Sequence, residues 1–311
     1  MGRLESDETD KALRSKMKAE RLDRADWYYK AQPIVLSYVQ VEPLLKAKKQ
    51  GQQSIEISPD LALTKVTVTL TPNGVEFPNG EHLDWQSIEK ISKSEVNCFI
   101  LENNTIRPIQ VFSEYTNRVC SLMPTKGAPS MLIAGFVMHR IKDIDPMQDT
   151  RRKIAAISPI AGRVLDTATG LGYTAIEASK TSDEVITIEL DPGAQEIARL
   201  NPWSQALFNN PKIQQVMGDA FEVVQTFEGE SFSRVIHDPP TFSLAGELYA
   251  GAFYRQLYRV LKRGGRLFHY IGDPNSKASG GVTKGALRRL QEAGFARVIR
   301  KPEAYGVVAY K

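Results

Sequence analysis

The sequence predicts an α/β protein, with a mostly parallel sheet in its C-terminal half and a smaller, β-rich α+β domain ahead of it. Three observations lead there. After Pro146 the apolar runs are short and alternate with helical stretches as far as residue 271, the order of parallel βαβ units. Val164-Leu-Asp-Thr-Ala-Thr-Gly-Leu-Gly-Tyr-Thr-Ala175 reads as a buried strand that ends in an acid, turns through two glycines and opens a helix. From Ser54 to about residue 137, in contrast, the strand-like runs alternate with period two and are separated by turn residues, as in antiparallel hairpins.

Residues 1–30 alternate in charge and hold few large aliphatics, which predicts a helix with a loose start, docked by Trp27, Tyr28 and Tyr29. Residues 33–45 are apolar enough for a packed helix or strand, and 46–53 read as an exposed linker that closes a first segment, 1–53. Residues 65–70 alternate cleanly. Thr71-Pro-Asn-Gly74 is then a turn, because Pro presets φ and Asn-Gly accepts positive φ, and 75–77 pair back. Asp84 caps a helix over 85–91, and strands are expected at 97–101, 106–112, 118–123 and 131–137, giving a small domain over 54–144. Asp145-Pro146, cap and first-turn proline, opens a helix to about residue 158 and a third segment, 145–311. Its later strands end at Glu189, Gly218 and Asp238. Gly264-Gly265 separates a helix over 252–262 from a strand over 266–271, residues 272–281 form a polar loop, Thr283 caps a helix ending at Gly294, and 296–300 and 306–310 are closing strands.

A chain of 311 residues has room for one large or two ordinary domains. At 42% hydrophobic and 24% charged it has the composition of a soluble globular protein. No apolar run approaches the roughly 20 residues of a membrane span, and the first thirty residues are charged rather than signal-like, so a cytoplasmic protein with no membrane partner is expected. Two cysteines, Cys98 and Cys120, give neither a disulfide framework nor a metal-ligand cluster, and no metal is expected. The net charge of +4 hides an asymmetry: residues 166–254 hold four Lys/Arg against thirteen Asp/Glu, and residues 255–311 hold thirteen against three. Either the basic end meets an anionic substrate, or it covers solvent-facing helices.

The glycine turn carries the chemistry. Gly170 and Gly172 let backbone approach a ligand that a Cβ would push away, and Ala175 lets the helix pack close. Nineteen residues after Gly170, Val185-Ile-Thr-Ile188 ends in Glu189, placed to accept hydrogen bonds from ribose hydroxyls. Asp166 would repel a pyrophosphate. It suits a cationic, phosphate-free cofactor such as S-adenosylmethionine. Gly218-Asp219 follows the third strand, where Asp219 reads an adenine amino group, caps the next helix, or does both. Tyr173 lines the cofactor tail or packs the helix start.

A fourth strand ends in Arg234-Val-Ile-His-Asp-Pro-Pro-Thr-Phe242, and with it the segment from about residue 146 resembles the class I, Rossmann-like S-adenosylmethionine-dependent methyltransferases. Met138-His-Arg140, Leu200-Asn-Pro-Trp-Ser204 and the run from His237 to Tyr249 are similar to a group of predicted archaeal-type methyltransferases, over most of residues 55–311. The resemblance implies a seven-stranded sheet with an antiparallel last strand. It implies S-adenosylmethionine as cofactor, held by Asp166, Thr169, Gly170, Gly172, Tyr173, Glu189, Asp219 and Asp238, and it names no substrate.

Asp238-Pro-Pro-Thr-Phe242 further resembles the Asp/Asn-Pro-Pro-Tyr/Phe motif of amine and nucleobase methyltransferases. That implies that Asp238 and the Pro239 carbonyl accept hydrogen bonds from a target amino group, while Phe242 stacks on the acceptor. The alternative is a rigid turn with a core phenylalanine. Cytosine C5 enzymes share the motif but need a thiol, and neither cysteine is near the motifs in sequence. N-methylation of RNA or another nucleotide-bearing substrate is therefore expected. Leu248-Tyr-Ala-Gly-Ala-Phe-Tyr254 also resembles the spermidine synthase-like aminopropyltransferases, which leaves aminopropyl transfer, or methylation of a small amine, as the other readings. His139, Arg140, Tyr249 and, in the basic end, Arg288 are the substrate candidates. His237, inside an apolar strand, reads as an interior residue.

Overall fold

The computed structural model describes residues 33–272 and 279–311, without the side chains of 279–282. The helix expected over 1–30 and its aromatic dock lie outside the described residues. The described residues form two compact units, one of 33–95 together with 99–108, the other of 96–98, 109–272 and 279–311.

The first unit begins with β1 (Ile34–Leu36) and α1 (Tyr38–Lys49). Ser37 and Gln40 form a reciprocal capping box at the start of α1. Residues 33–45 are thus both strand and helix, and the linker expected at 46–53 is helical as far as Lys49. Leu44 and Ala47 continue the buried face, so Lys46, Lys48 and Lys49 ride on a packed helix. Strands β2 (Ser54–Ile57), β3 (Val66–Leu70), β4 (Gly74–Glu76) and β5 (His82–Asp84) form an antiparallel meander. Thr71 N–H donates to the Gly74 carbonyl at 2.8 Å, closing the predicted turn. Asp84 caps α2 (Trp85–Ser92) through the Ser87 amide. β6 (Phe99–Glu102) pairs with β1 and with β7 (Thr105–Pro108) in a second sheet, and the core holds Leu36, Leu44, Val68, Leu83, Ile88 and Leu101.

The single strand expected over 106–112 is two. Pro108 ends β7 in the first unit, and β8 (Gln110–Ser113) starts a sheet of the second with β9 (Arg118–Met123), β10 (Ser130–Ile133) and β11 (Phe136–Val137). The sequence boundary at 144/145 therefore does not coincide with the compact units, because this sheet is tied to the C-terminal part. Thr116 Oγ1 donates to Asp191 Oδ2 at 2.7 Å, and a Cβ on Gly193 would lie 2.9 Å from Ser113 Cβ.

Asp145 then caps α3 (Pro146–Ile157), with Pro146 in its first turn as the sequence predicts. There follow β12 (Arg163–Asp166), α4 (Tyr173–Ser179), β13 (Glu184–Glu189), α5 (Pro192–Leu200), α6 (Gln205–Asn209), β14 (Ile213–Met217), α7 (Ala220–Thr226), β15 (Phe232–His237), α8 (Gly251–Val260), β16 (Leu261–Tyr270), α9 (Ser279–Glu292), β17 (Arg297–Lys301) and β18 (Gly306–Tyr310). The seven strands lie in the order β14-β13-β12-β15-β16-β18-β17, with β18 antiparallel to both neighbours and the other pairings parallel. Two boundaries differ from the sequence reading. β16 begins at Leu261, ahead of the glycine pair, where the register slips, and α9 begins at Ser279 rather than after Thr283. The core runs from Leu165 and Ile186 through Val235, Phe253, Leu257 and Leu267 to Leu290 and Phe295. No helix among the described residues is long and apolar enough to cross a membrane.

Candidate active site

The carboxyl ends of β12, β13, β14 and β15 open into one cavity of about 1120 Å³, its mouth included. Parallel strands place their C-terminal loops side by side, so residues far apart in sequence meet there. Thr167–Thr174 follow β12, Glu189 ends β13 and Asp191 follows it, Gly218 and Asp219 follow β14, and Asp238, Pro239 and Pro240 follow β15. The second unit's small sheet adds Arg118, Met131, Ile133 and His139.

Asp166 lies under the floor, fully buried. Its Oδ2 accepts from Thr174 Oγ1 (2.9 Å) and Thr187 Oγ1 (3.1 Å), while Oδ1 has no hydrogen-bond partner among the described residues. Burial pushes this carboxyl up to about 7, against the two threonine hydrogen bonds. Glu189 closes the glycine loop: Oε2 accepts from the Gly170 amide at 2.8 Å and Oε1 from the Asp191 amide at 3.0 Å. Burial also lifts Glu189 to about 7, with those amides pulling the other way. An acid with one free oxygen beneath the floor and a half-buried one at the wall both favour a cation, which fits a sulfonium cofactor and disfavours a pyrophosphate.

The two glycines have different reasons. Gly170 (φ +52°) meets nothing closer than Met131 Cε at 3.8 Å, so its missing Cβ leaves space in the cavity wall. Gly172 (φ +76°) caps α4 off the cavity, and a Cβ there would sit 2.6 Å from Leu207 Cδ2, so packing and backbone conformation require it. Thr169 borders the cavity, but its hydroxyl bonds Thr187 at 2.7 Å. Tyr173 also borders it, yet its hydroxyl donates to the Pro129 carbonyl and accepts from Asn201, which is helix-start packing. Asp219 faces the cavity and caps α7 through the Phe221 amide at 2.7 Å.

On the opposite wall Asp238 does not stand alone. Its Oδ2 accepts from Lys153 Nζ at 2.6 Å, and Lys153, only 2% exposed, also pairs with Asp149 at 3.0 Å. Burial disfavours the Lys153 charge, but the two carboxylates outweigh it and hold its ammonium above the usual range. Sequence reasoning missed Lys153. Its only local signal is Asp149 and Lys153 four apart on a helix, a spacing common on exposed faces. Glu247 and Asp191 line the cavity too and were likewise passed over.

Tyr249 is buried beside this wall, its hydroxyl donating to the Pro240 carbonyl at 2.9 Å, so it clamps the Pro-Pro turn. Phe242 packs edge-on against Tyr249 and is 55% exposed, which excludes a core role. His139 borders the cavity with Nδ1 3.1 Å from Ser130 Oγ, and burial with the Lys153 charge lowers it to about 3, an uncharged imidazole at neutral pH. Arg140 is not part of the lining. Its guanidinium reaches Asp149 and the Glu303 carbonyl, each at 3.0 Å, and lies over the Tyr305 ring. Arg288, 73% exposed on α9, also lies off the cavity, 3.5 Å from Glu292.

His237 is interior, satisfied by Thr167 and the Leu248 carbonyl. Both cysteines are buried. Cys120 is nearer the site than the sequence suggested, with Sγ 3.7 Å from Asp191 Oδ2, but burial and that acid push its thiol up to about 12, which leaves no thiolate for C5 chemistry. Among the described residues no three His, Cys, Asp or Glu side chains group as metal ligands.

Residues 165–269 match the family model described as "Methyltransferase domain". The chain is 39% identical over 284 residues to the uncharacterized protein MJ1233 of Methanocaldococcus jannaschii, covering 89% of this chain and 96% of that one. It is 23% identical over 188 residues to a polyamine aminopropyltransferase of Sulfurisphaera tokodaii (59% and 60% covered) and 26% identical over 111 residues to putrescine N-methyltransferase 2 of Nicotiana tabacum (34% and 31%). Among solved structures, a spermidine synthase in complex with the transition-state analogue AdoDATO superposes with a TM-score of 0.54 at 21% identity, over 67% of this chain and 76% of that one, which shows a shared fold. The strand order, the glycine loop with its two acids and the domain match converge: the chain belongs to the family of the archaeal protein MJ1233 and is a class I, S-adenosylmethionine-dependent methyltransferase.

Proposed function

We propose that the enzyme methylates a nitrogen of a small cationic amine. The observation that carries this reading is the charge of the lining: among the described residues, Glu189, Asp191, Asp219, Asp238 and Glu247 face the cavity against a single charged base, Arg118. A wall of that sign attracts a polyamine and repels a phosphodiester. Two relatives whose names specify polyamine or putrescine chemistry agree with it.

S-adenosylmethionine supplies a methyl group already activated by its sulfonium. The protein's task is alignment. Asp238 and the Pro239 carbonyl accept the acceptor's N–H bonds and aim its lone pair, and Tyr249 holds the turn that carries them; Phe242, outside the cavity lining, braces Tyr249. With the cofactor bound, the acceptor nitrogen would first give its ammonium proton to water or to a carboxylate of the wall. It would then form the new N–C bond as the C–S bond breaks with its electron pair left on sulfur, leaving the product as a methylammonium.

The test uses putrescine as probe. Asp238→Ala should leave cofactor binding nearly intact while turnover falls about 10²-fold or more, and Asp238→Asn should be milder if the group only accepts a hydrogen bond. Full turnover by Asp238→Ala would remove the assignment. An RNA or nucleotide acceptor is the second reading, resting on the thirteen Lys/Arg of residues 255–311. It requires RNA binding that weakens steeply with salt, and a salt slope reduced by about one in Arg288→Gln.

A further inference from the structure

We propose that Lys153 is the positioning residue of the acceptor site, pinning Oδ2 of Asp238 so that the carboxylate presents Oδ1 to the acceptor. The proposal rests on the reading of Asp238 as the group that faces the acceptor.

The geometry is an alternating chain of charges running from the edge of α3 to the cavity. Arg140 Nη1 lies 3.0 Å from Asp149 Oδ1, Lys153 Nζ lies 3.0 Å from Asp149 Oδ2, and Lys153 Nζ lies 2.6 Å from Asp238 Oδ2. The contact with Asp149 is an ion pair, whereas that with Asp238 is also a hydrogen bond. Lys153 and Asp149 are at least 98% buried, where a cation with no functional task would cost more than an apolar side chain of the same size. Arg140 balances Asp149, fixed in turn by Tyr305 and the Glu303 carbonyl, so that Lys153 has charge to spare for Asp238.

Other groups bear on Asp238 from every side. Asp166 at the end of β12 and Asp149 on α3 add negative charge, Tyr249 and Tyr270 are neutral phenols held up by burial, and His139, near Lys153, is uncharged at neutral pH. Among the described residues Lys153 is thus the cation in direct contact with Asp238; burial holds this carboxyl above its ordinary range, and Lys153 opposes that rise. A protonated Asp238 would offer a donor where the acceptor nitrogen needs an acceptor.

The test reads Asp238 directly. The protein is labelled with carboxyl carbon-13 aspartate, and the Asp238 resonance, assigned by its loss in Asp238→Asn, is titrated without cofactor or amine. Lys153→Met should move its midpoint up by about 1–3 pH units, and Lys153→Arg should bring it back toward wild type. Asp149→Asn removes the competing carboxylate and should move the midpoint down, which keeps the proposal testable should Lys153→Met fail to fold. Turnover of putrescine by Lys153→Met should fall about tenfold or more at pH 7 and recover as pH rises past the new midpoint. An Asp238 midpoint unmoved by Lys153→Met, or by Asp149→Asn where Lys153→Met does not fold, overturns the proposal. Shifted midpoints in a wild type that methylates no amine would leave the hold on Asp238 standing and remove the acceptor reading instead.

Discussion

Cofactor binding should be coupled to a proton at Asp166. This carboxyl sits at about 7 because it is buried with one oxygen unpartnered, and a sulfonium and an ammonium above it would favour the ionised form. With a midpoint near 7, the group is about nine-tenths protonated at pH 6 and about one-tenth at pH 8. Affinity for S-adenosylmethionine should therefore fall roughly tenfold between pH 8 and pH 6, with close to one proton released per binding event at pH 6. The sign for the free protein is opposite. A carboxyl raised from about 3.9 in the unfolded chain to about 7 in the fold contributes stability that is fully present below pH 3.9 and lost as pH rises through 7. The cost of ionising it at pH 8 is on the order of 4 kcal/mol as an upper bound, so the cofactor should raise Tm more at pH 8 than at pH 6. Calorimetry in two buffers of different ionisation enthalpy counts the proton. Asp166→Asn should bind more weakly at pH 8 and lose most of the proton release. An affinity flat from pH 6 to 8 in wild type, with no buffer dependence, would refute the reasoning.

Two other substitutions follow from the same loop. Glu189→Ala removes the acceptor expected to meet the ribose and the anchor of the Gly170 amide, and calorimetry should show affinity for S-adenosylmethionine reduced by ~1.5–3 kcal/mol, roughly ten- to hundredfold. Gly172→Ala forces positive φ on a residue with a Cβ and drives it into Leu207, so thermal unfolding should show a loss of about 2–4 kcal/mol, with Tm lower by roughly 5–15 °C.

What the sequence made legible was local. The strand, the glycine turn and the acid at each strand end lie within 27 residues, Arg163 to Glu189, and their spacing is dictated by one βαβ unit, so period and punctuation suffice to find them. Asp84 and Asp145 were legible as caps for the same reason: a cap bonds amides two or three residues away. The partner of Asp238 was not, because Lys153 lies 85 residues earlier and reaches it only once α3 has packed against α4 and β16. Tyr173, Arg140 and Tyr249 were visible as residues of interest, but their hydroxyls and guanidinium are spent on carbonyls at Pro129, Glu303 and Pro240, contacts that no pattern encodes. The sheet of β8 to β11 was read as part of the N-terminal domain because its period is that of the hairpins before it, whereas its tie to Asp191 is a tertiary contact. The acidic lining was half-legible: the sequence carries the negative balance of residues 166–254, but not the convergence of its carboxylates on one cavity.

The most direct test of the central claim is to incubate the purified enzyme with S-adenosylmethionine labelled in its methyl group, offering putrescine, spermidine and total RNA in separate reactions, and to locate the label by mass spectrometry. The account predicts label on an amine nitrogen of putrescine or spermidine, added as a methyl group, and none in RNA. Label in RNA alone, or an aminopropyl rather than a methyl product when decarboxylated S-adenosylmethionine is supplied, would contradict it.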